Sequence, residues 1–118
     1  MRKIIHVDNS QFFRKLMRIF LEAEGFEVES FDSAQEANMA IGGGLADMVI
    51  MGLAFHDTEG EDFLVRTVES FSGPVIVVSS SMDEERTEKL INMGARAALN
   101  KTGSSWKEGL KPHLAALI

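Results

Sequence analysis

Short apolar runs alternate with amphipathic stretches along the whole chain, and most boundaries carry a turn or capping residue. The apolar runs are typical of buried strands and the amphipathic stretches of helices. Strands are predicted at 4–7, 26–31, 47–53, 75–78 and 97–100, with a helix after each one. This alternation predicts an α/β domain with a doubly wound, five-stranded parallel sheet and about five helices.

The run from Asp47 to Leu53 is the element around which this pattern is organised. Apolar residues from Met48 to Met51 fill both alternating faces, as expected for a central parallel strand that is covered on both sides. Ligands of open parallel sheets gather at the carboxyl ends of such strands. Gly52 stands at that end and has no side chain with which to do chemistry.

Helix starts are predicted from capping residues. The cluster Asp8-Asn9-Ser10 can cap the first helix. Three pairs have capping-box spacing, namely Ser33 with Glu36, Thr58 with Glu61, and Ser105 with Glu108. Trp106 opens the last helix, where it is either half-buried packing or an anchor for an interface.

The composition narrows the function classes. The 118 residues predict one domain spanning 1–118, and a formal net charge of −6 argues against binding nucleic acid or anionic membrane. Cysteine is absent, which excludes disulfides and thiolate sites and fits a reducing compartment. The chain has neither an apolar run of membrane-spanning length nor a signal peptide, so the cytoplasm is expected. It ends on Leu117-Ile118 while still in helical pattern, which suggests a domain cut from a longer signalling protein.

Polar residues stand at three of the predicted strand ends, and a glycine stands at a fourth. Asp8 and Asn9 stand at the end of the first strand, Gly52 at that of the third, Ser79 at that of the fourth and Lys101 at that of the fifth. In a doubly wound sheet these ends meet at one crevice. The sequence therefore predicts that these residues lie close together.

These pieces, in this order and spacing, resemble the receiver domain of two-component response regulators over the whole chain. The resemblance is carried by Ile4 to Ser10, Ala46 to Met51, Pro74 to Ser80, and Met93 to Arg96, with Lys101 seven residues after Gly94. It implies a flavodoxin-like topology. It also implies a role in phosphoryl signalling, in which a histidine kinase phosphorylates an aspartate at the end of the third strand.

The resemblance assigns a role to each strand-end position. Asp8 matches the first acidic Mg²⁺ ligand, Asn9 stands at the second, Ser79 matches the hydroxyl that contacts the phosphoryl group, and Lys101 matches the lysine. The phosphoacceptor position falls on Gly52, which cannot form an acyl phosphate.

Three further positions depart from the family pattern. Ala98 stands at the switch position normally held by an aromatic ring that works with Ser79. Thr102 replaces the proline after the lysine, which predicts a trans Lys101–Thr102 bond, and His56 replaces a loop proline. The metal donors would be Asp8, the amide of Asn9 and the carbonyl of Ala54.

Only one of these three donors, the Asp8 carboxylate, carries a negative charge, so Mg²⁺ is expected to bind weakly or not at all. Asp8 is the one weak candidate for a metal ligand. No cofactor and no catalytic residue are predicted. Lys101 lacks the acceptor carboxylate as partner, so it is expected to turn toward Asp8.

The leading hypothesis is a degenerate receiver, or pseudo-receiver, which is not an enzyme. It would act without phosphorylation, through a protein partner, its own output domain, or a homodimer formed by the last helix. One alternative is a phosphoacceptor that uses Asp57. Another is a sensor of a small anion bound by Ser79, Ser80, Lys101 and His56. Of the other histidines, His6 is predicted to be a hydrogen-bonded core residue and His113 to lie on a solvated helix face.

Overall fold

The computed structural model describes residues 2–118, in which strands and helices alternate from end to end. The strands are β1 (Lys3–Val7), β2 (Glu27–Phe31), β3 (Met48–Met51), β4 (Val75–Ser79) and β5 (Ala97–Asn100). The helices are α1 (Gln11–Ala23), α2 (Ala34–Gly42), α3 (Gly60–Ser70), α4 (Glu84–Asn92) and α5 (Ser105–Ala115).

The five strands form one parallel sheet in the order β2-β1-β3-β4-β5. Helices α1 and α5 pack on one face of the sheet. Helices α2, α3 and α4 pack on the other face. The predicted fold class, a doubly wound sheet of flavodoxin-like topology, is confirmed.

Strand β3 lies in the middle of the sheet and is buried on both faces. Met48 and Ile50 belong to the core under α1 and α5, whereas Val49 and Met51 belong to the core under α2, α3 and α4. This two-sided burial explains why the strand reads as an unbroken apolar run.

The predicted helix caps are partly correct. The Ser10 hydroxyl accepts the Phe13 amide at 3.2 Å, and the Ser33 hydroxyl accepts the Glu36 amide at 3.2 Å. The other two capping boxes are wrong: α3 is capped at Glu59 and α5 at Ser104, both without a side-chain cap bond. The N-cap of α3 lies one residue after Thr58, and the N-cap of α5 lies one residue before Ser105. Neither predicted residue therefore occupies the capping position.

The structure places two side chains of the last helix, Trp106, for which the sequence left two alternatives, and His113, which was predicted on a solvated helix face. Trp106 is 2% exposed and packs edge-on against Phe13 and Phe20, with ring centroids 5.1 Å and 5.4 Å away. It is therefore core packing and not an exposed anchor. His113 lies on α5 and is partly exposed, so the predicted solvated helix face is correct only in part.

Candidate functional site

The predicted strand-end residues meet at the carboxyl edge of the sheet. The Gly52 amide donates to the Val7 carbonyl at 2.8 Å, which sets the end of β3 beside the end of β1. The Lys101 amide donates to the Ser79 carbonyl at 3.0 Å, which joins the ends of β4 and β5. The parallel register thus brings these separated positions to one place.

Asp8 is the fixed centre of this edge. Its side chain is 1% exposed, and Oδ1 accepts the Ser10 amide at 2.8 Å. Its carbonyl accepts the Arg14 guanidinium at 2.6 Å, and its amide donates to the Phe31 carbonyl at 3.0 Å. Backbone and side chain are both held, so the carboxylate has little freedom to reorient.

Lys101 contacts this carboxylate directly, as the sequence predicted. Its Nζ donates to Asp8 Oδ1 at 3.1 Å and lies 2.9 Å from Oδ2. Asp8 Oδ2 accepts no hydrogen bond from the described residues. Its contact with the Lys101 ammonium is therefore an ion pair only. The same Nζ lies 4.7 Å from the centroid of the Phe13 ring, which favours the cation further.

The Asp8 carboxylate fills the space that a side chain at position 52 would need. A Cβ on Gly52 would lie 2.9 Å from Asp8 Oδ2 and 3.5 Å from its Cγ. The first of these distances is shorter than carbon and oxygen tolerate. The absence of a side chain at Gly52 therefore leaves room for Asp8 Oδ2 beside the end of β3, a detail of the geometry that sequence reasoning did not foresee.

The other predicted site residues are less engaged. The side chain of Asn9 is exposed, and the Ser79 hydroxyl makes only a long bond of 3.5 Å to the Ser80 carbonyl. Ala98 pairs with Val77 in the β4–β5 register and is partly exposed. No cis peptide occurs in residues 2–118, so the Lys101–Thr102 bond is trans, as predicted.

These donors do not fit a magnesium ion. Mg²⁺ prefers an octahedron of oxygens with more than one carboxylate, whereas Asp8, the one carboxylate in the predicted donor set, already has the Lys101 ammonium 2.9 Å away. Ala54, which was expected to offer its carbonyl, forms an isolated bridge with Glu59. Across residues 2–118, no three acidic, histidine or cysteine side chains cluster as metal ligands do.

Asp57 is placed at the start of α2 and caps it from a distant loop. Its Oδ2 accepts the Gln35 amide at 2.9 Å and its Oδ1 accepts the Ala34 amide at 3.3 Å. The bond from Gln35, followed by that from Ala34, lowers the pKa of the Asp57 carboxyl. Sequence reasoning missed this cap, since the 22 residues that separate Asp57 from Gln35 leave no local signal.

His6 is buried, as predicted, but it is not hydrogen-bonded. Neither ring nitrogen has a partner among the described residues, and the ring packs edge-on against Phe13 at 5.9 Å. Burial, with smaller contributions from Lys101, Arg14 and Arg18, lowers the pKa of His6 to about 3. His6 is therefore a neutral core residue at physiological pH, and the expectation of a satisfied histidine is wrong.

An open cleft of about 450 Å³ lies beside the site, between the loop after β3 and the start of α4. Its lining comprises residues 53–55, 58–61 and Arg86. It does not include Ser79, Ser80, Lys101 or His56, the residues predicted for an anion. His56 itself is exposed in the same loop.

Comparison with known proteins identifies the family. Residues 4–107 match the model of the response regulator receiver domain. The chain is 28% identical over 102 residues to the KDP operon transcriptional regulatory protein KdpE of Escherichia coli, covering 86% of this chain and 45% of that protein. It is 27% identical over 105 residues to protein-glutamate methylesterase/protein-glutamine glutaminase 2 of Anaeromyxobacter dehalogenans, covering 87% and 31% respectively. The matched residues thus span less than half the length of either curated relative.

Solved structures share the fold. A CheY-like receiver domain protein from Methanospirillum hungatei superposes with a TM-score of 0.86 at 23% identity, covering 99% of this chain and 96% of that one. Chemotaxis protein CheY4 of Vibrio cholerae gives a TM-score of 0.84 at 21% identity, covering 100% and 99%. At these identities the likeness shows the fold alone.

Proposed function

The chain belongs to the response regulator receiver domain family, and from that premise we propose that it is a degenerate receiver that signals without being phosphorylated. It is a receiver domain of a two-component system. What distinguishes it is the state of the carboxyl edge of its sheet.

The observation that carries this proposal is the Asp8–Lys101 pair over Gly52. A receiver needs a carboxylate at the end of β3 to accept the phosphoryl group, and glycine offers none. Here the carboxylate of Asp8 lies in the space of that missing side chain and holds the lysine at 2.9 Å. The lysine therefore already has its counter-charge, and the pair closes the site that a phosphoryl group would enter.

Weak binding of magnesium follows from the same pair. Mg²⁺ would have to displace the Lys101 ammonium from Asp8. In return it would obtain as ligands the Asp8 carboxylate and the side chain of Asn9, which is neutral and exposed. Exchanging a pre-formed, buried ion pair for an incomplete oxygen shell is unfavourable. We propose that the domain works without a metal cofactor and has no enzymatic activity of its own.

Protein–protein interaction is the mode of action that we propose for such a module. The matched residues make up only 45% and 31% of the two curated relatives, which supports an output domain or a separate protein as the partner. The sequence pointed to the last helix as the interaction surface, and to the cytoplasm as location. No helix within residues 2–118 is long and apolar enough to cross a membrane.

Incubation with acetyl phosphate and a magnesium salt tests the proposal. Intact-mass spectrometry should show no phosphoryl adduct on this chain, while an intact receiver treated in parallel gains one. A stoichiometric adduct would contradict phosphorylation independence. If Asp57→Asn removed that adduct and Asp62→Asn, a change of another exposed carboxylate, left it, Asp57 would be the acceptor.

A sensor of small anions remains the competing function, and thermal shift separates it. Phosphate and nucleotides should leave the unfolding temperature unchanged, because Lys101 is already paired with Asp8. A saturable rise that Lys101→Met abolishes would favour the sensor instead.

A further inference from the structure

Helix α1 exposes an apolar surface that the domain does not use for its own core. Phe12 is 73% exposed and Ile19 is 59% exposed. Among the helices of residues 2–118, only α1 carries two large apolar side chains this exposed. Its core-facing residues are Phe13, Met17 and Leu21. Contiguous exposed apolar surface is typical of interaction sites, and the spacing of these residues decides whether they form one.

The exposed residues form a regular seam along the helix. Phe12, Leu16, Ile19 and Ala23 are spaced by four, three and four residues. This is the spacing that places side chains in one line along a helix and that two helices use to pack against each other. Leu16 is partly buried and packs against the core, so it anchors the seam, while Ala23 is exposed. We refer to these four residues as the α1 seam.

Charges beside the seam indicate which helix fits it. Lys15 and Glu22 are exposed and lie on the same flank, seven residues apart, and the only ion pair of Glu22 among the described residues is a long, exposed contact of 3.5 Å with Arg18. If a second α1 runs antiparallel, Leu16 faces Ile19 of the other copy and Phe12 faces its Ala23. The same register places Lys15 of each copy opposite Glu22 of the other, giving two attractive pairs. A parallel register would set Lys15 beside the apolar Phe20 and gives no such pair.

We propose that the α1 seam is a self-association surface, which pairs two copies of this chain by their α1 helices in antiparallel orientation about a two-fold axis. The inference rests on the proposed function as an interaction module, and it names α1 in place of the last helix. In α5 the large apolar residues Trp106, Leu110 and Leu114 are buried, so they are not available to a partner.

The size of the seam sets the strength of the dimer. The 13-residue helix is about 20 Å long. Phe12 and Ile19 each expose an area on the order of 100 Å². Two copies would bury well under the roughly 1,200 Å² of a standard stable interface. The dimer is therefore weak and forms at high local concentration, for instance when a longer protein brings two receivers together.

Analytical ultracentrifugation over a wide concentration range tests the inference. The weight-average mass of the wild-type chain should rise with concentration toward twice the monomer mass. In the Lys15→Glu variant, the new glutamate of each copy faces Glu22 of the other copy. In the Glu22→Lys variant, the new lysine of each copy faces Lys15 of the other copy. Each single variant should weaken association about tenfold, because two attractive pairs become repulsive.

The mixture of these two single variants is the decisive arm. One copy then carries two acidic residues on this flank and the other carries two lysines, so both cross-pairs are again attractive. An equimolar mixture should regain the wild-type association, and so should the double variant. Phe12→Ser should abolish association, whereas Met39→Ser, a matched change of an exposed apolar residue on α2, should not.

Circular dichroism of each variant controls for folding, which is expected to be unchanged because these side chains are exposed. A chain that stays monomeric at every concentration would overturn the inference and leave the seam to a different protein. Association that Lys111→Glu on α5 disrupts, but the α1 variants do not, would also overturn it. Neither result bears on the phosphoryl adduct, so failure here is distinguishable from failure of phosphorylation independence.

Discussion

Removing the Lys101 ammonium should destabilise the domain much more than removing an ordinary surface charge. Lys101→Met keeps most of the side-chain stem over the Phe13 ring and deletes the charge. Asp8, which is 1% exposed, then keeps the Ser10 amide on Oδ1 but loses the ammonium that lies 2.9 Å from Oδ2. An unpaired carboxylate in a buried position is costly.

The magnitude follows from how deeply the pair is buried. Deleting one partner of a fully buried pair costs about 3–5 kcal/mol. Lys101 is 21% exposed, so water screens part of this interaction, and we expect a loss of about 2–3 kcal/mol. For a chain of this size that lowers the melting temperature by about 10 °C.

Urea denaturation of matched variants measures this effect. Lys89→Met removes an exposed pair with Glu61, whose atoms lie 3.2 Å apart, and should cost less than about 1 kcal/mol. Asp8→Asn should cost less than Lys101→Met, because the freed ammonium can turn to solvent. The double variant should be no worse than Lys101→Met alone. Equal costs for Lys101→Met and Lys89→Met, or fully additive costs in the double variant, would refute the reasoning.

Three further changes follow from single contacts. His6 has a folded pKa of about 3 against 6.5 when unfolded, so the unfolded chain binds more protons between these values. Wild-type stability should fall relative to His6→Leu by about 1.4 kcal/mol per pH unit below pH 6.5 in denaturation curves, and parallel curves would contradict this. Asp57→Asn should speed amide hydrogen exchange at Ala34 and Gln35, and unchanged protection would show that the cap is unimportant. Ser81 has a φ of 58°, so Ser81→Gly should stabilise the domain by about 0.5–1 kcal/mol, whereas a lower melting temperature would argue against strain at Ser81.

The fold was predictable because its signals are local and consistent. The unbroken apolar run of Met48 to Met51 and the alternation of strands and helices define the layers without any long-range knowledge. Helix caps were less predictable. Thr58 fits a capping box in sequence, but its hydroxyl accepts a hydrogen bond from Arg66 at 2.9 Å instead. Tertiary contacts of this kind override local spacing.

The candidate site was predictable in its members but only partly in its geometry. Charge reasoning placed Lys101 on Asp8, because a lone ammonium at that edge has one carboxylate within reach. It could not show that Asp8 leans into the space beside Gly52, since that depends on the exact approach of two strand ends. The unpartnered nitrogens of His6 were missed for a similar reason. Sequence indicates burial, whereas hydrogen-bond satisfaction depends on neighbours that only the packed fold supplies.

The central claim is that the Asp8–Lys101 pair has taken the place of both the metal and the phosphoacceptor. A magnesium titration followed by amide and lysine-ammonium NMR signals, with Trp106 fluorescence as a second readout, tests it most directly. Trp106 is suitable because its ring packs on Phe13, which carries the Lys101 ammonium 4.7 Å from its centroid. The account predicts no saturable change at Asp8, Gly52 or Lys101 into the millimolar range. Saturation at micromolar magnesium, with Lys101 released from Asp8 into solvent, would contradict it.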